Sequence, residues 1–218
     1  MEALDRATLA LVIDHTLLTP EATSADIVAL CAEADELAVG AVCVSPNWVS
    51  LVHKITKIPV ASVVGFPSGS HLPGIKAAEA AQAVSDGASE IDMVANLGFV
   101  LDSMWLELGD EISAVRKSIS GSTKLKVIIE SAALTDEQIV MSCRVAVAHG
   151  ADFVKTSTGF HKSGGASVHA VQLMRATVGN SIGVKASGGI RTRELALEMI
   201  KAGASRLGTS ATGEILAG

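Results

Sequence analysis

Tyrosine is absent from this sequence, and with four phenylalanines and two tryptophans the aromatic residues amount to 3% of its 218 positions. Single-stranded nucleic acid is bound by stacking bases on aromatic faces, and duplexes are bound by basic surfaces. Here the formal charge is −6 and the pI near 5.5, so a nucleic-acid partner is not expected. Cysteine is scarce: Cys31, Cys43 and Cys143 are too scattered for a disulfide framework, and no CxxC pair exists to hold zinc. The histidines, at positions 15, 53, 71, 149, 161 and 169, show neither HxxxH nor HxH spacing, so no metal site is expected. A GxxxxGK[ST] loop for nucleotide triphosphates is missing as well. Stretches free of Asp, Glu, Lys and Arg, such as Ile58 to Ile75, are broken by Gly and Pro, so no membrane span is expected. The first residues are acidic where a signal peptide is basic. Together these absences lead us to expect a soluble, cytoplasmic protein.

Apolar residues make up 49% of the chain, enough for a substantial core. Two kinds of segment alternate. Short β-branched runs, Val60–Gly65, Leu125–Glu130 and Ile182–Lys185, suit parallel strands buried on both faces. Longer Ala-rich segments with helical spacing cover Ser24 to Ala38, Gly74 to Asp86, Met104 to Ser118, Thr135 to His149 and Thr192 to Ala202. Thr135 and Gln138 have the spacing of a capping box. A Gly-Ala step followed by a strand recurs at Gly40, Gly87, Gly150 and Gly203, with the Gly suited to the left-handed turn that ends a helix. Six βα units between Gly40 and Gly203 take about 27 residues each, and eight would fill the chain. The expected fold is therefore a single (β/α)8 TIM barrel over residues 1–218. An open doubly wound sheet would call for an early Gly-rich dinucleotide loop, whereas the first strand runs into Asp14-His-Thr16.

Strands four, six and eight of such a barrel contribute to the same interior layers. The fifth residue after each shared Gly then points inward at a similar height: Asp92, Lys155 and Gly208. An acid faces an amine, with a small residue opening space beside them. Lys185 ends the strand next to that of Lys155. Two neighbouring ammonium groups repel, and burial disfavours charge, so both effects favour a free amine able to attack a carbonyl. Glu90 shares the face of Asp92 but lies lower, paired with a base near the bottom rim. Asp14 is expected to position other groups. Arg116, Lys117, Lys124 and Lys126 read as a solvated basic cluster at a helix end. Cys43, between two valines, is expected to pack as a small apolar residue on a strand that could face the pocket. After strands six, seven and eight come Thr156-Ser-Thr-Gly159, Ser187-Gly-Gly-Ile-Arg191 and Gly208-Thr-Ser210. The last two lead into helices, and small residues there expose N–H groups that suit a phosphate.

Glu90-Ile-Asp-Met-Val94, Phe153-Val-Lys-Thr-Ser-Thr-Gly159 and Val184-Lys-Ala-Ser-Gly-Gly-Ile-Arg191 together resemble the deoxyribose-phosphate aldolase family, class I aldolases on a (β/α)8 barrel. The resemblance runs from Asp14 to Ser210. It implies Lys155 as the Schiff-base lysine, and Lys185 and Asp92 as its partners in proton transfer. Asp14, Thr158, Gly159, Gly188, Gly189, Gly208 and Ser210 fall among the substrate- and phosphate-binding groups. The reaction implied is reversible cleavage of 2-deoxy-D-ribose 5-phosphate to D-glyceraldehyde 3-phosphate and acetaldehyde, with no metal or other cofactor. Small-molecule sugar phosphates and aldehydes are the implied partners, and a homo-oligomer is compatible with them. Some members carry a tail Tyr that assists proton transfer, and some have a second Ser where this chain has Ala211. The competing readings are a Schiff-base aldolase of another sugar phosphate and a phosphosugar-binding barrel without catalysis.

Overall fold

The computed structural model describes residues 4–218. The β-branched runs form strands and the Ala-rich segments form helices. In chain order the elements are α1 (Arg6–Leu11), β1 (Ile13–Leu17), α2 (Ser24–Leu37), β2 (Ala41–Val44), α3 (Val49–Ile55), β3 (Val60–Val64), α4 (Pro73–Ser85), β4 (Glu90–Val94), α5 (Leu97–Leu101), α6 (Trp105–Ser118), β5 (Lys124–Ile128), α7 (Asp136–Ala148), β6 (Phe153–Lys155), α8 (Val168–Val178), β7 (Gly183–Ser187), α9 (Arg193–Lys201), β8 (Arg206–Thr209) and α10 (Thr212–Ala217). Each strand pairs in parallel with the next, and β8 pairs back onto β1 to close the expected eight-stranded barrel.

Local chemistry explains the boundaries. At the start of α7 the Thr135 hydroxyl accepts the Gln138 N–H at 3.3 Å while the Gln138 side chain accepts the Thr135 N–H at 3.0 Å. Gly87, Gly150 and Gly203 follow α4, α7 and α9 with φ of 114°, 91° and 116°, as the repeat requires. The first repeat differs. Ala38 takes the left-handed turn after α2 (φ 53°), and Gly40 serves another purpose: a Cβ there would stand 2.1 Å from the Leu11 carbonyl oxygen.

Alternation along the strands separates two environments. Val42, Val44, Ile91, Met93, Leu125, Val127, Val154, Val184 and Leu207 belong to one apolar layer that packs with the helices. Full burial of each such side chain contributes about 1.5–3 kcal/mol. Their neighbours in sequence point into the barrel and carry its polar chemistry. Between α4 and α6, Lys76 and Glu111 form a fully buried ion pair at 2.7 Å. Lys76 also donates to the Val94 carbonyl at 2.8 Å, and Glu111 accepts the Asn96 N–H at 2.9 Å. This pair fixes the C-terminal end of β4, two residues beyond Asp92. Among the described residues no helix is long and apolar enough to cross a membrane.

Candidate active site

Six of the eight strands place a charged side chain inside the barrel. Asp92 on β4 is the hub. Its Oδ2 accepts from Lys155 Nζ at 2.6 Å and from Lys185 Nζ at 2.7 Å, and its Oδ1 accepts from Lys126 Nζ at 2.7 Å. Lys155 and Lys185 are register partners on β6 and β7, which puts the two amines side by side as expected. Gly208 leaves room for them: a Cβ there would stand 3.0 Å from Lys185 Cε. Glu90 lies lower, as alternation requires, and pairs with Lys126 at 2.5 Å, Lys124 at 3.3 Å and Arg206 at 3.5 Å.

One expectation needs correction. Lys126 is no part of a solvated helix end. It is fully buried on β5, in register with Asp92, and bridges Asp92, Glu90 and Asp14. The signal was present in the sequence: Lys126 interrupts an apolar strand just as Lys155 and Lys185 do. Asp14, expected to position other groups, is fully buried among cations. It accepts from Lys185 and from Arg206 at 2.8 Å, with Lys126 at 3.5 Å. Its place on β1 beside Gly208 directs it into the charged interior rather than toward the loops.

The surroundings sort the three lysines. Burial and the neighbouring Lys185 charge draw the Lys155 amine below the ordinary lysine value, against the pull of Asp92. Burial also disfavours the charge of Lys185, but Asp14 and Asp92 outweigh it and hold Lys185 protonated. For Lys126 the burial cost is likewise exceeded by attraction to Asp92 and Asp14. Burial would raise Asp92, yet the three lysines around it keep its carboxyl well below the usual range. The result is one amine biased toward the neutral form beside two fixed ammonium groups.

A cavity of about 210 Å³ opens at the C-terminal ends of β6, β7 and β8. Lys155 lines it together with Thr158, Gly159, Gly188, Gly189, Gly208 and Ser210, whereas Asp14, Asp92, Lys126 and Lys185 lie off its walls. Gly188 and Gly189 adopt φ of 89° and 80°. At Gly188 a Cβ would stand 3.0 Å from Gly165 Cα and 3.2 Å from Gly159 Cα, so the loops after β6 and β7 touch through glycine backbones. Gly189 has open space instead.

Two residues here escaped the sequence reading. Gly165 belongs to the same contact, since a Cβ on it would meet the Gly188 carbonyl oxygen at 2.2 Å. Glu130 takes a left-handed backbone (φ 58°) just after β5, and its buried carboxylate accepts the Thr158 hydroxyl at 2.6 Å and its N–H at 3.2 Å. A carboxylate at the C-terminal end of an apolar barrel strand is the signal that would have singled it out. Cys43 is buried and faces the interior, where it packs with Ala61 and Val63, and burial raises its thiol pKa. No group of three His, Cys, Asp or Glu residues that could hold a metal ion stands among the described residues.

Comparison with known proteins agrees with this geometry. The family model described as DeoC/LacD family aldolase matches residues 8–216. A protein of Kocuria rhizophila named deoxyribose-phosphate aldolase is 54% identical over 215 residues, covering 99% of this chain and 98% of its own. A solved chain from Coccidioides immitis superposes with a TM-score of 0.95 at 40% identity, covering 100% of this chain and 87% of that one. The tetrameric deoxyribose phosphate aldolase of Aeropyrum pernix gives a TM-score of 0.91 at 31% identity, covering 98% and 91%. With the family model and the close relatives spanning nearly its full length, this chain belongs to the DeoC/LacD family of aldolases.

Proposed function

We propose that this chain reversibly cleaves 2-deoxy-D-ribose 5-phosphate to acetaldehyde and D-glyceraldehyde 3-phosphate, with Lys155 as the Schiff-base nucleophile. One observation carries the assignment: of the three interior lysines, only Lys155 both lines the cavity and is displaced toward the neutral amine. The named relatives supply the substrate, and the chemistry follows from the geometry.

In cleavage, the neutral Lys155 amine attacks C1 of the open-chain sugar. The carbinolamine loses water to give a protonated imine, which is the electron sink for the next step. The C3 hydroxyl gives up its proton to the site's proton relay, the C2–C3 bond breaks, and its electron pair becomes the C1=C2 double bond of an enamine as the C1=N pair returns to nitrogen, while C3 becomes the aldehyde of glyceraldehyde 3-phosphate. Protonation at C2 restores the imine, and water releases acetaldehyde and the free amine. Asp92 and Lys185 share an oxygen–nitrogen contact at 2.7 Å beside Lys155. They are placed to hold and return the proton that carbinolamine dehydration and imine hydrolysis require. Asp14 keeps Lys185 protonated and oriented, a positioning role. The glycine-lined wall at Gly188 and Gly189 and the Ser210 turn take the phosphate, with α9 following the first of them.

Reductive trapping tests the assignment. Borohydride added with acetaldehyde should ethylate Lys155, identified by peptide mass, and inactivate the enzyme. A label on Lys185 or Lys126, or on neither and not on Lys155, would overturn it. The Aeropyrum pernix relative is described as tetrameric. Leu101 and Leu106, flanking the turn between α5 and α6, are 51% and 82% exposed. On these grounds we also propose a homo-oligomer, and a monomer mass in sedimentation would contradict it.

A further inference from the structure

The turn that follows β8 has a cavity on either side. Ser210 lines the cavity of about 210 Å³ that holds Lys155, and it also lines an outer cavity of about 450 Å³ bounded by β1, the loop after it and α2. With open space on both faces, side-chain packing does little to fix this turn, so its place depends on hydrogen bonds. On the β7 side the Thr209 hydroxyl donates to the Ile190 carbonyl at 2.7 Å and accepts the Ala211 N–H at 3.0 Å. On the β1 side the contact is made by a buried histidine that the mechanism leaves unused.

Alternation along β1 turns Asp14 into the barrel and His15 outward, toward the helices. His15 is the register partner of Thr209 and is 2% exposed. Its Nδ1 shares a hydrogen bond with the Thr212 hydroxyl at 2.8 Å. Thr212, fully buried, opens α10 just after the Ser210 turn. Glu33 on α2 brings a carboxylate oxygen to 3.4 Å from His15 Nε2, an atom with no hydrogen-bond partner among the described residues. Burial favours the neutral ring, against the pull of Glu33. In a neutral ring that carboxylate favours the tautomer with its proton on Nε2, so Nδ1 is the acceptor and the Thr212 hydroxyl the donor. Neither His15 nor Thr212 lines the Lys155 cavity, so their influence on a substrate passes through the turn.

We infer that the contact between His15 and Thr212 is a latch that holds the Ser210 turn in place for the phosphate, which makes both of them positioning residues for phosphorylated substrates. The inference rests on the phosphate placement proposed above and adds the groups that keep that wall where it is. A turn that must be ordered on binding takes the ordering cost out of the affinity, whereas a latched turn is ordered beforehand. Loss of one neutral hydrogen bond should therefore weaken phosphate binding by about three- to tenfold. A sugar without phosphate has no group at the turn and is unaffected.

The experiment measures KM and kcat for 2-deoxyribose 5-phosphate and for free 2-deoxyribose, with acetaldehyde trapping at Lys155 as a reading that involves no phosphate. Thr212→Val keeps the side-chain shape and removes the hydroxyl, Thr212→Ser keeps the hydroxyl, and His15→Leu removes the acceptor. Thr212→Val and His15→Leu should each raise KM for the phosphorylated sugar by about three- to tenfold, with KM for free deoxyribose and the trapping rate within about twofold of wild type. Thr212→Ser should stay within about twofold of wild type for both sugars. Circular dichroism identifies a variant that has not folded, in which case the other is read; if neither Thr212→Val nor His15→Leu folds, the contact serves the fold and the inference fails. Equal changes for the two sugars, or KM within about twofold of wild type in the folded variants, would overturn the inference while leaving the aldolase reading intact. A wild type that cleaves neither sugar and is not trapped at Lys155 would sink the aldolase reading itself.

Discussion

Replacing Lys185 by Met tests whether electrostatics is what frees the Lys155 amine. Both nitrogens contact the same oxygen of Asp92, at 2.6 and 2.7 Å, so they lie no more than 5.3 Å apart. Two unit charges at that distance repel by about 3 kcal/mol in an effective dielectric of about 20. Met keeps the length of the stem and removes the charge. Neither carboxylate is left bare: Asp14 keeps Arg206 at 2.8 Å and Lys126 at 3.5 Å, and Asp92 keeps Lys126 at 2.7 Å and Lys155 at 2.6 Å. The barrel should therefore fold. With the repulsion gone and Asp92 still attracting its proton, Lys155 should hold its proton to higher pH than in the wild type. The assay is the pH dependence of reductive trapping by acetaldehyde, quantified at Lys155 by peptide mass. The rising limb should move to the alkaline side. Turnover should stay low even on the alkaline plateau, because Lys185 no longer passes protons. A trapping profile superimposable on that of the wild type would refute the reasoning and leave Lys185 a structural residue.

The remaining predictions use neighbouring parts of the same design. Lys126→Met removes the cation shared by Asp92 and Glu90 at 2.7 and 2.5 Å. Trapping at neutral pH should slow by roughly tenfold, with the rising limb again displaced to higher pH; an unshifted limb would show that Lys126 has no electrostatic hold on Lys155. Gly189→Asp puts a carboxylate into open space on the cavity wall, and Gly189→Ala controls for the strain of φ 80°. The Asp variant, compared with the Ala variant, should raise KM for the phosphorylated sugar far more than KM for free deoxyribose, and equal effects would remove this loop from phosphate binding. Lys76→Met leaves the buried Glu111 without its ion-pair partner. Urea unfolding should show a loss of about 3–5 kcal/mol, partly recovered in the Lys76→Met/Glu111→Met double variant.

Much of this fold was legible because the signals are local. Strands buried on both faces show as apolar runs, and α2, α4, α6, α7 and α9 show as Ala-rich periodic segments between caps and turn glycines. The short helices α1, α3 and α10, of 6, 7 and 6 residues, carry too few turns to show a period. Lys155, Lys185 and Asp92 were legible because a charge at a fixed place in an apolar strand has few explanations. Lys126 satisfied the same criterion, but Lys124 two residues earlier drew it into a reading as surface charge. Lys124 is half exposed at the rim and Lys126 fully buried, although both stand on one face of β5 and both reach Glu90. What separates them is depth in the barrel, which depends on strand register, and register is set by pairing between distant segments. Gly165 depends on a loop contact across the barrel mouth and left still less trace in any single segment.

The same register sets the charge balance around Lys155, the proposed nucleophile. Asp14, Glu90 and Asp92 bring three negative charges into the barrel, and Lys126, Lys185 and Arg206 bring three positive ones, all linked by contacts of 3.5 Å or less. The interior is neutral only while Lys155 carries no charge. Protonating Lys155 would leave an excess positive charge where burial makes any unbalanced charge costly. Lys126 and Lys185 each meet two carboxylates at 2.7 Å or less, whereas Lys155 meets Asp92 alone. The proton therefore leaves Lys155 first, and Lys155 is also the lysine that lines the cavity. On the proposed mechanism, this balance gives a role to Lys126 and Lys185, which lie off the wall of that cavity. Their charges keep the carboxylates occupied, so that Asp92 can orient Lys155 without holding its proton.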